Sequence, residues 1–192
     1  MYNKPVFYDS DCLVCFLVIN QCDILQELFS KIIVPLTVKE EILNPRTPDI
    51  IKNNFNKLVE IGFVEIREIV YGTYEFDFYD SIKTKNFQKN KLPIGDGEAA
   101  VITLGYINKG IVASNNLSDV MDYVKKYGLN LITTSFILAM AYEQNIKTEK
   151  ELNEIWNKMV DKGRKRSLPK VKSFTDYYSN MYIKDSEFMG YQ

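Results

Sequence analysis

Val6-Phe7-Tyr8-Asp9-Ser10-Asp11-Cys12-Leu13 holds the pattern on which the fold turns: a short apolar β-prone run, an abrupt polar break, then the start of a helix. Over residues 12–29 apolar side chains recur at helical spacing, enough for one or two helices. The same order returns along the chain. Ile32-Ile33-Val34-Pro35 reads as a second buried strand, followed by a helix capped by Thr37 with Glu40 at capping-box spacing. A helix over 49–61 leads into an alternating strand over 63–67, and 75–85 predicts a helix ending in a basic polar connection over 85–91. Gly95-Asp96-Gly97-Glu98 breaks the chain before a helix over 99–107. Residues 111–114 form a strand followed by a helix to Tyr127, and 131–133 a strand followed by a helix over 136–144. Short apolar strands alternating with helices predict an α/β fold with a mainly parallel sheet.

The chain has 192 residues, 46% hydrophobic and 26% charged, with a formal net charge of −1. That composition suits one globular domain with a proper core. We expect a domain over 1–145, with 146–192 as a C-terminal helix and tail packed on it. The tail carries a basic knot, Arg164-Lys165-Arg166, and the aromatics Phe174, Tyr177, Tyr178, Tyr182, Phe188 and Tyr191, expected to dock on the sheet domain. No apolar run approaches the ~20 residues that span a bilayer. The first residues offer no secretory h-region. The expectation is a cytoplasmic protein without a membrane partner.

Histidine is absent. Its absence excludes Ser-His-Asp and Cys-His hydrolysis, His-ligated zinc, haem on a proximal histidine and phosphohistidine transfer. Acid–base or metal chemistry falls to carboxylates, lysines, tyrosines or cysteines. A near-zero net charge argues against binding duplex nucleic acid by bulk electrostatics, while a local patch for a single strand stays open. Cys12, Cys15 and Cys22 are too few and too odd in number for a disulfide framework, and one C-x-x-C without histidines does not make structural zinc.

In an open parallel sheet, functional groups gather at the carboxyl ends of strands. Asp9 ends the first predicted strand, and Glu40 and Glu41 lie in the helix after the second. Asp96 and Glu98 open a helix behind two glycines, and Asn115-Asn116 and Asp119 follow the strand over 111–114. Converging carboxylates repel one another, and a hard divalent cation relieves that repulsion. Such a site polarises phosphate and activates water without histidine. Singly, each acid has an ordinary explanation as a helix N-terminal or solvated residue.

Together and in this order they resemble the PIN-domain family of metal-dependent nucleases, from Val6 to about Asn145. Val6 to Leu13 resembles the family's opening strand and Asp-Ser/Thr-x-x-Leu. Ile33-Val34-Pro35 with Val38-Lys39-Glu40-Glu41-Ile42 resembles its strand and Val-x-x-Glu-Leu, and Ile94-Gly95-Asp96-Gly97-Glu98-Ala99 its Gly-x-Gly-Glu-Ala helix start. Residues 111–119 resemble the strand and acidic turn, and 128–141 the closing strand and helix. The resemblance implies a three-layer sandwich with a mainly parallel sheet flanked by helices. It also implies that Asp9, Glu41, Glu98 and Asp119 hold Mg²⁺ or Mn²⁺ for cleavage of single-stranded or structured RNA. Asn116 and Asp96 are further candidate ligands. This chain departs from the family in having Asn115-Asn116 where many members place an acid, and Asp119 supplies the charge one turn on, on the face of Asn116.

Ser10 and Ser114 are candidate substrate contacts, as are Lys83, Lys85, Lys89 and Lys91, which lead into the Gly95 turn. Arg164, Lys165 and Arg166 form a second basic cluster. Family analogy adds an antitoxin protein and a second copy of the chain as partners, since many small prokaryotic members are toxin halves of toxin–antitoxin pairs. Two rivals stand beside this reading. One is a PIN-like module that binds RNA or protein without cutting. The other is a thiol-disulfide oxidoreductase built on Cys12 and Cys15 at a helix start.

Overall fold

Among the residues that the computed structural model describes, 4–84 and 93–188, five strands form one sheet. They are β1 (Val6–Tyr8), β2 (Ile32–Pro35), β3 (Val64–Arg67), β4 (Ile111–Ala113) and β5 (Asn130–Ile132). All neighbours pair in parallel, in the order β3-β2-β1-β4-β5. Phe7 of β1 lies opposite Ile33 on one side and Val112 on the other. Every residue of β1, β2 and β4 is buried. An unbroken apolar run suits a parallel strand covered on both faces.

Helices flank the sheet: α1 (Ser10–Leu17), α2 (Asp23–Leu28), α3 (Leu36–Ile42), α4 (Asp49–Glu60), α5 (Tyr74–Thr84), α6 (Asp96–Ile107), α7 (Leu117–Tyr127) and α8 (Thr134–Glu143). Helix α6 packs on β1, β2 and β4, with α3, α5 and α7 beside it. Among the described residues, no helix is long and apolar enough to cross a membrane.

The strand order positions the site. The chain winds from β1 outward through β2 to β3, then returns to the other side of β1 for β4 and β5. The reversal leaves a crevice outside the carboxyl ends of β1 and β4, where open α/β sheets bind their ligands. Asp9 directly follows β1, and Ser114 and Asn115 follow β4.

Several element boundaries differ from the sequence expectation for local reasons. Thr37 does not cap α3. The helix starts at Leu36 behind Pro35, and the Thr37 hydroxyl is buried without a hydrogen-bond partner among the described residues. Helix α6 begins three residues earlier than expected, so Asp96 and Glu98 lie in its first turn. There they oppose the positive end of the helix dipole. Helix α8 begins at Thr134, capped by the Thr133 hydroxyl, which accepts from the Phe136 amide at 3.2 Å.

Beyond α8 the chain forms α9 (Glu149–Met159), a π-type turn (Val160–Arg164), a 3-10 turn (Lys165–Ser167), α10 (Phe174–Asn180) and α11 (Tyr182–Phe188). The capping box predicted at Thr37 occurs instead at Thr148 and Glu151. Helix α9 ends at Met159, and the chain turns at Gly163, where φ is +79°. Leu152, Trp156, Met159, Phe174 and Tyr177 are all buried in the same core as the sheet. The Trp156 and Tyr177 rings stack with centroids 6.1 Å apart. Tyr191 lies outside the described residues.

Candidate active site

Asp9 is the N-cap of α1, and its position explains its burial. The carboxylate accepts from the Ser10 amide at 2.7 Å through Oδ1 and from the Ser114 hydroxyl at 3.0 Å through Oδ2. With 2% of its surface exposed, it is nevertheless held well above the usual carboxylate range, first by burial and then by the charges of Asp11 and Glu98. Two hydrogen bonds favour the charged form but do not offset desolvation and like charge.

Glu41 and Glu98 are positioned by the two glycines that flank Asp96. A Cβ on Gly97 would stand 2.9 Å from Glu41 Oε1, and one on Gly95 would stand 2.2 Å from Glu98 Oε2. Each carboxylate thus occupies space that a side chain would take. The pKa of Glu41 is raised first by burial and then by the charges of Glu98 and Asp96, while the polar groups of Ser10 and Gly97 favour its charged form. Ser10, expected at the substrate, lines the pocket.

The two asparagines after β4 do different work. Asn115 ties the strand to α8: its Oδ1 accepts from the Thr134 amide at 2.8 Å and its Nδ2 donates to Thr134 Oγ1 at 2.9 Å. Its own amide donates to Asp11 Oδ1 at 3.2 Å. Asn116 Nδ2 lies between two acids, donating to Glu98 Oε1 at 3.1 Å and to Asp119 Oδ2 at 2.8 Å. Asp9, Glu98 and Asp119 therefore belong to one hydrogen-bonded chain through Ser114 and Asn116, while Glu41 lies near enough for the charges of Glu98 and Asp96 to act on it.

Other expected residues are engaged elsewhere. Asp96 accepts from Tyr79 at 2.9 Å and pairs with Lys83 at 2.6 Å, and the Lys83 bond holds its pKa down. Lys83 also donates to the Ile94 carbonyl at 3.1 Å. Expected at the RNA, Lys83 instead fastens α5 to the start of α6. Lys85, Lys89 and Lys91 lie outside the described residues. Ser114, also expected at the substrate, is fully buried, its hydroxyl donating to Asp9 and accepting from the Asn116 amide at 3.2 Å.

The thiol reading does not survive the structure. Cys12 and Cys15 are both fully buried, and burial pushes the Cys15 thiol up to about 11 and the Cys12 thiol upward as well. A redox pair needs an accessible, lowered thiol. These two pack as small apolar groups, Cys12 against Thr134 Oγ1 at 3.5 Å and Cys15 bonded to the Asp11 carbonyl at 3.2 Å.

A pocket of ≈ 530 Å³ opens in the crevice, lined by Asp9, Asp11, Glu98 and Asn116 on the sheet side. Asp11 was missed as a site residue. It lies two residues after Asp9 in the first turn of α1, a placement that an ordinary helix acid shares. Burial raises its pKa, and the hydrogen bond from the Asn115 amide and, more weakly, the charge of Arg164 draw it back. The far wall is formed by Arg166, from the second basic cluster, with Leu168, Pro169, Lys170, Met181 and Asp185, which were not expected there. No local sequence pattern joins residues so distant along the chain.

Among the described residues, no three acidic or cysteine side chains are grouped so as to hold one metal ion together. Mg²⁺ asks for less, since it keeps several waters and takes one or two carboxylates with substrate phosphate. An all-oxygen donor set in which Asp9, Asp11 and Glu98 repel one another suits a hard cation of this kind.

This five-stranded parallel sheet, with acids around the crevice between β1 and β4, is the architecture of a PIN-like α/β protein. A family model for the PIN domain matches residues 5–173, and the chain belongs to the PIN-domain family. Proteins of this family are often nucleases and typically bind divalent metals. A search of curated proteins finds no match to the chain.

Proposed function

We propose that this protein is a metal-dependent ribonuclease that cleaves phosphodiester bonds of single-stranded RNA in the pocket between β1 and β4. The observation that carries the reading is the buried Asp9. Separate segments of the chain bring Asp9, Glu98 and Asp119 together through Ser114 and Asn116, with Glu41 beside them, and burial with like charge raises the pKa values of Asp9 and Glu41. Proteins retain such repulsion chiefly at functional sites.

The chain's own groups prepare the site. The Ser10 amide and Ser114 hydroxyl hold Asp9 in one orientation, and the absence of a side chain at Gly97 leaves Glu41 its place. Asn116 keeps Glu98 and Asp119 together. Asp9 and Glu98 would hold Mg²⁺ or Mn²⁺, with Asp119, Asn116 and Glu41 reaching it directly or through water, and the ion would polarise the scissile phosphate and make water a better nucleophile.

Incubation of the purified protein with a labelled single-stranded oligoribonucleotide tests this. Cleavage is expected with Mg²⁺ or Mn²⁺, to stop in excess chelator, and to be lost in Asp9→Asn. Chelator-insensitive cleavage, or full activity in Asp9→Asn, would count against the mechanism. A second reading, an RNA- or protein-binding module that does not cut, draws on Asn116, whose amide already balances Glu98 and Asp119 without a cation. The same assay separates the two. For the biological setting we infer the toxin half of a toxin–antitoxin pair. Growth arrest on expression, relieved by co-expressing the product of the neighbouring gene, is the expected result.

A further inference from the structure

We propose that the segment over 164–170, with Met181, is the substrate wall of the pocket: Arg166 and Lys170 bind phosphates of an unpaired RNA strand, and Leu168, Pro169 and Met181 receive one of its bases. This rests on the nuclease reading and assigns its specificity to residues outside the acidic set. An acidic pocket repels a polyanion, so cations must face the acids if RNA is to enter. The lysine within the described residues that the sequence favoured for this, Lys83, is paired with Asp96. Arg166 and Lys170 line the pocket itself and are exposed, and among the described residues neither lies within ion-pair distance of an acid.

The segment is built into the fold. It leaves α9 through the turn at Gly163, and its 3-10 turn packs on α1. Leu168 anchors it in the core with 7% of its surface exposed. Arg164, half-buried, acts on Asp11 from the same segment. Two cations thus face Asp9, Asp11 and Glu98 across a space large enough for a flexible group of drug-like size, roughly 300–1,000 Å³ in the general case. A guanidinium presents a fork that matches phosphate oxygens. The apolar surface beside the two cations gives an unstacked base a place to rest, the mode by which single-stranded RNA is usually held. A duplex keeps its bases stacked inside and presents no such group.

The test uses the full chain with the Asp9→Asn change, in Mg²⁺, titrated against a labelled single-stranded oligoribonucleotide at several KCl concentrations. Adding Arg166→Ala and Lys170→Ala should lower the log–log salt slope by about 1.4, at about 0.7 per lost phosphate contact. Lys150→Ala with Lys158→Ala removes the same charge from α9 and should leave the slope unchanged. A duplex of the same sequence should bind at least about tenfold more weakly than the single strand. An unchanged slope in the Arg166/Lys170 variant, an equal loss in the α9 control, or equal duplex binding overturns the proposal. If the unaltered protein cleaves RNA in a chelator-sensitive way and the slope is unchanged, only the wall is wrong. If no variant binds RNA and the unaltered protein does not cleave, the nuclease reading and the wall fall together.

Discussion

Asp9 occupies the junction of β1 and α1, so one carboxylate both caps a helix and faces the pocket. Its raised pKa has a consequence for the metal-free protein. The folded state binds a proton at Asp9 more readily than the unfolded chain does, so stability declines as pH rises from the ordinary carboxylate range through the raised one. Asparagine at this position keeps an oxygen to accept from the Ser10 amide and removes the buried charge. Asp9→Asn should therefore be the more stable protein in chelator at neutral pH, with a shallower decline. Asp11 and Glu41, also raised, keep their share of the slope. Thermal denaturation across pH in chelator measures this. An Asp9→Asn protein less stable than the unaltered one at neutral pH would contradict it.

Helix α6 meets α3 through Gly97, and here an element's packing sets the chemistry. A Cβ there would meet Glu41 Oε1 at 2.9 Å and Val38 Cγ2 at 3.2 Å. The flexible carboxylate yields more easily than the buried valine. Alanine is favoured over glycine by about 1 kcal/mol in a helix interior and by less in this first turn, which offsets part of the tight valine contact. Gly97→Ala should keep stability within about 1 kcal/mol while RNA cleavage falls by roughly a hundredfold, the scale of an ångström-sized misplacement. Unfolding and single-turnover assays on the same preparation separate the two effects. At α9 the argument concerns stability alone. Thr148 Oγ1 accepts from the Glu151 amide at 3.3 Å and Glu151 Oε2 accepts from the Thr148 amide at 2.8 Å. Thr148→Ala should cost about 1 kcal/mol in denaturant unfolding and leave cleavage intact.

For the whole molecule, the C-terminal residues are part of the body. Trp156 is 1% exposed, and α10 and α11 pack on α8, whose first residues are bonded to the site through Asn115. Trp156→Ala should cost about 3–5 kcal/mol, the usual range for emptying a buried aromatic site. Denaturant unfolding should give that loss in a single transition followed by near-UV and far-UV signals. Two separate transitions would mean that the C-terminal helices unfold independently of the sheet.

Periodicity and residue type alone determined the parallel strands, the helices between them and the placing of Asp9, Glu98 and Asp119 at strand ends or helix starts, with Glu41 in the helix after β2. These follow from local rules: an unbroken apolar run of three or four residues wants burial on both faces, and acids collect at helix starts. Tertiary structure alone decided which neighbours each acid meets. Asp96 and Glu98 sit two apart in one helical turn, yet Asp96 turns to Lys83 and Tyr79 while Glu98 joins Asn116. Thr37 had the spacing of a cap and Thr148 became one, because a cap needs an extended residue at the helix boundary as well as the right side chain. The return of Arg166 and Lys170 to a pocket opened by Asp9 could not be read locally. It depends on Trp156 and Leu168 finding the core, and burial is a property of the assembled chain that no window of sequence contains.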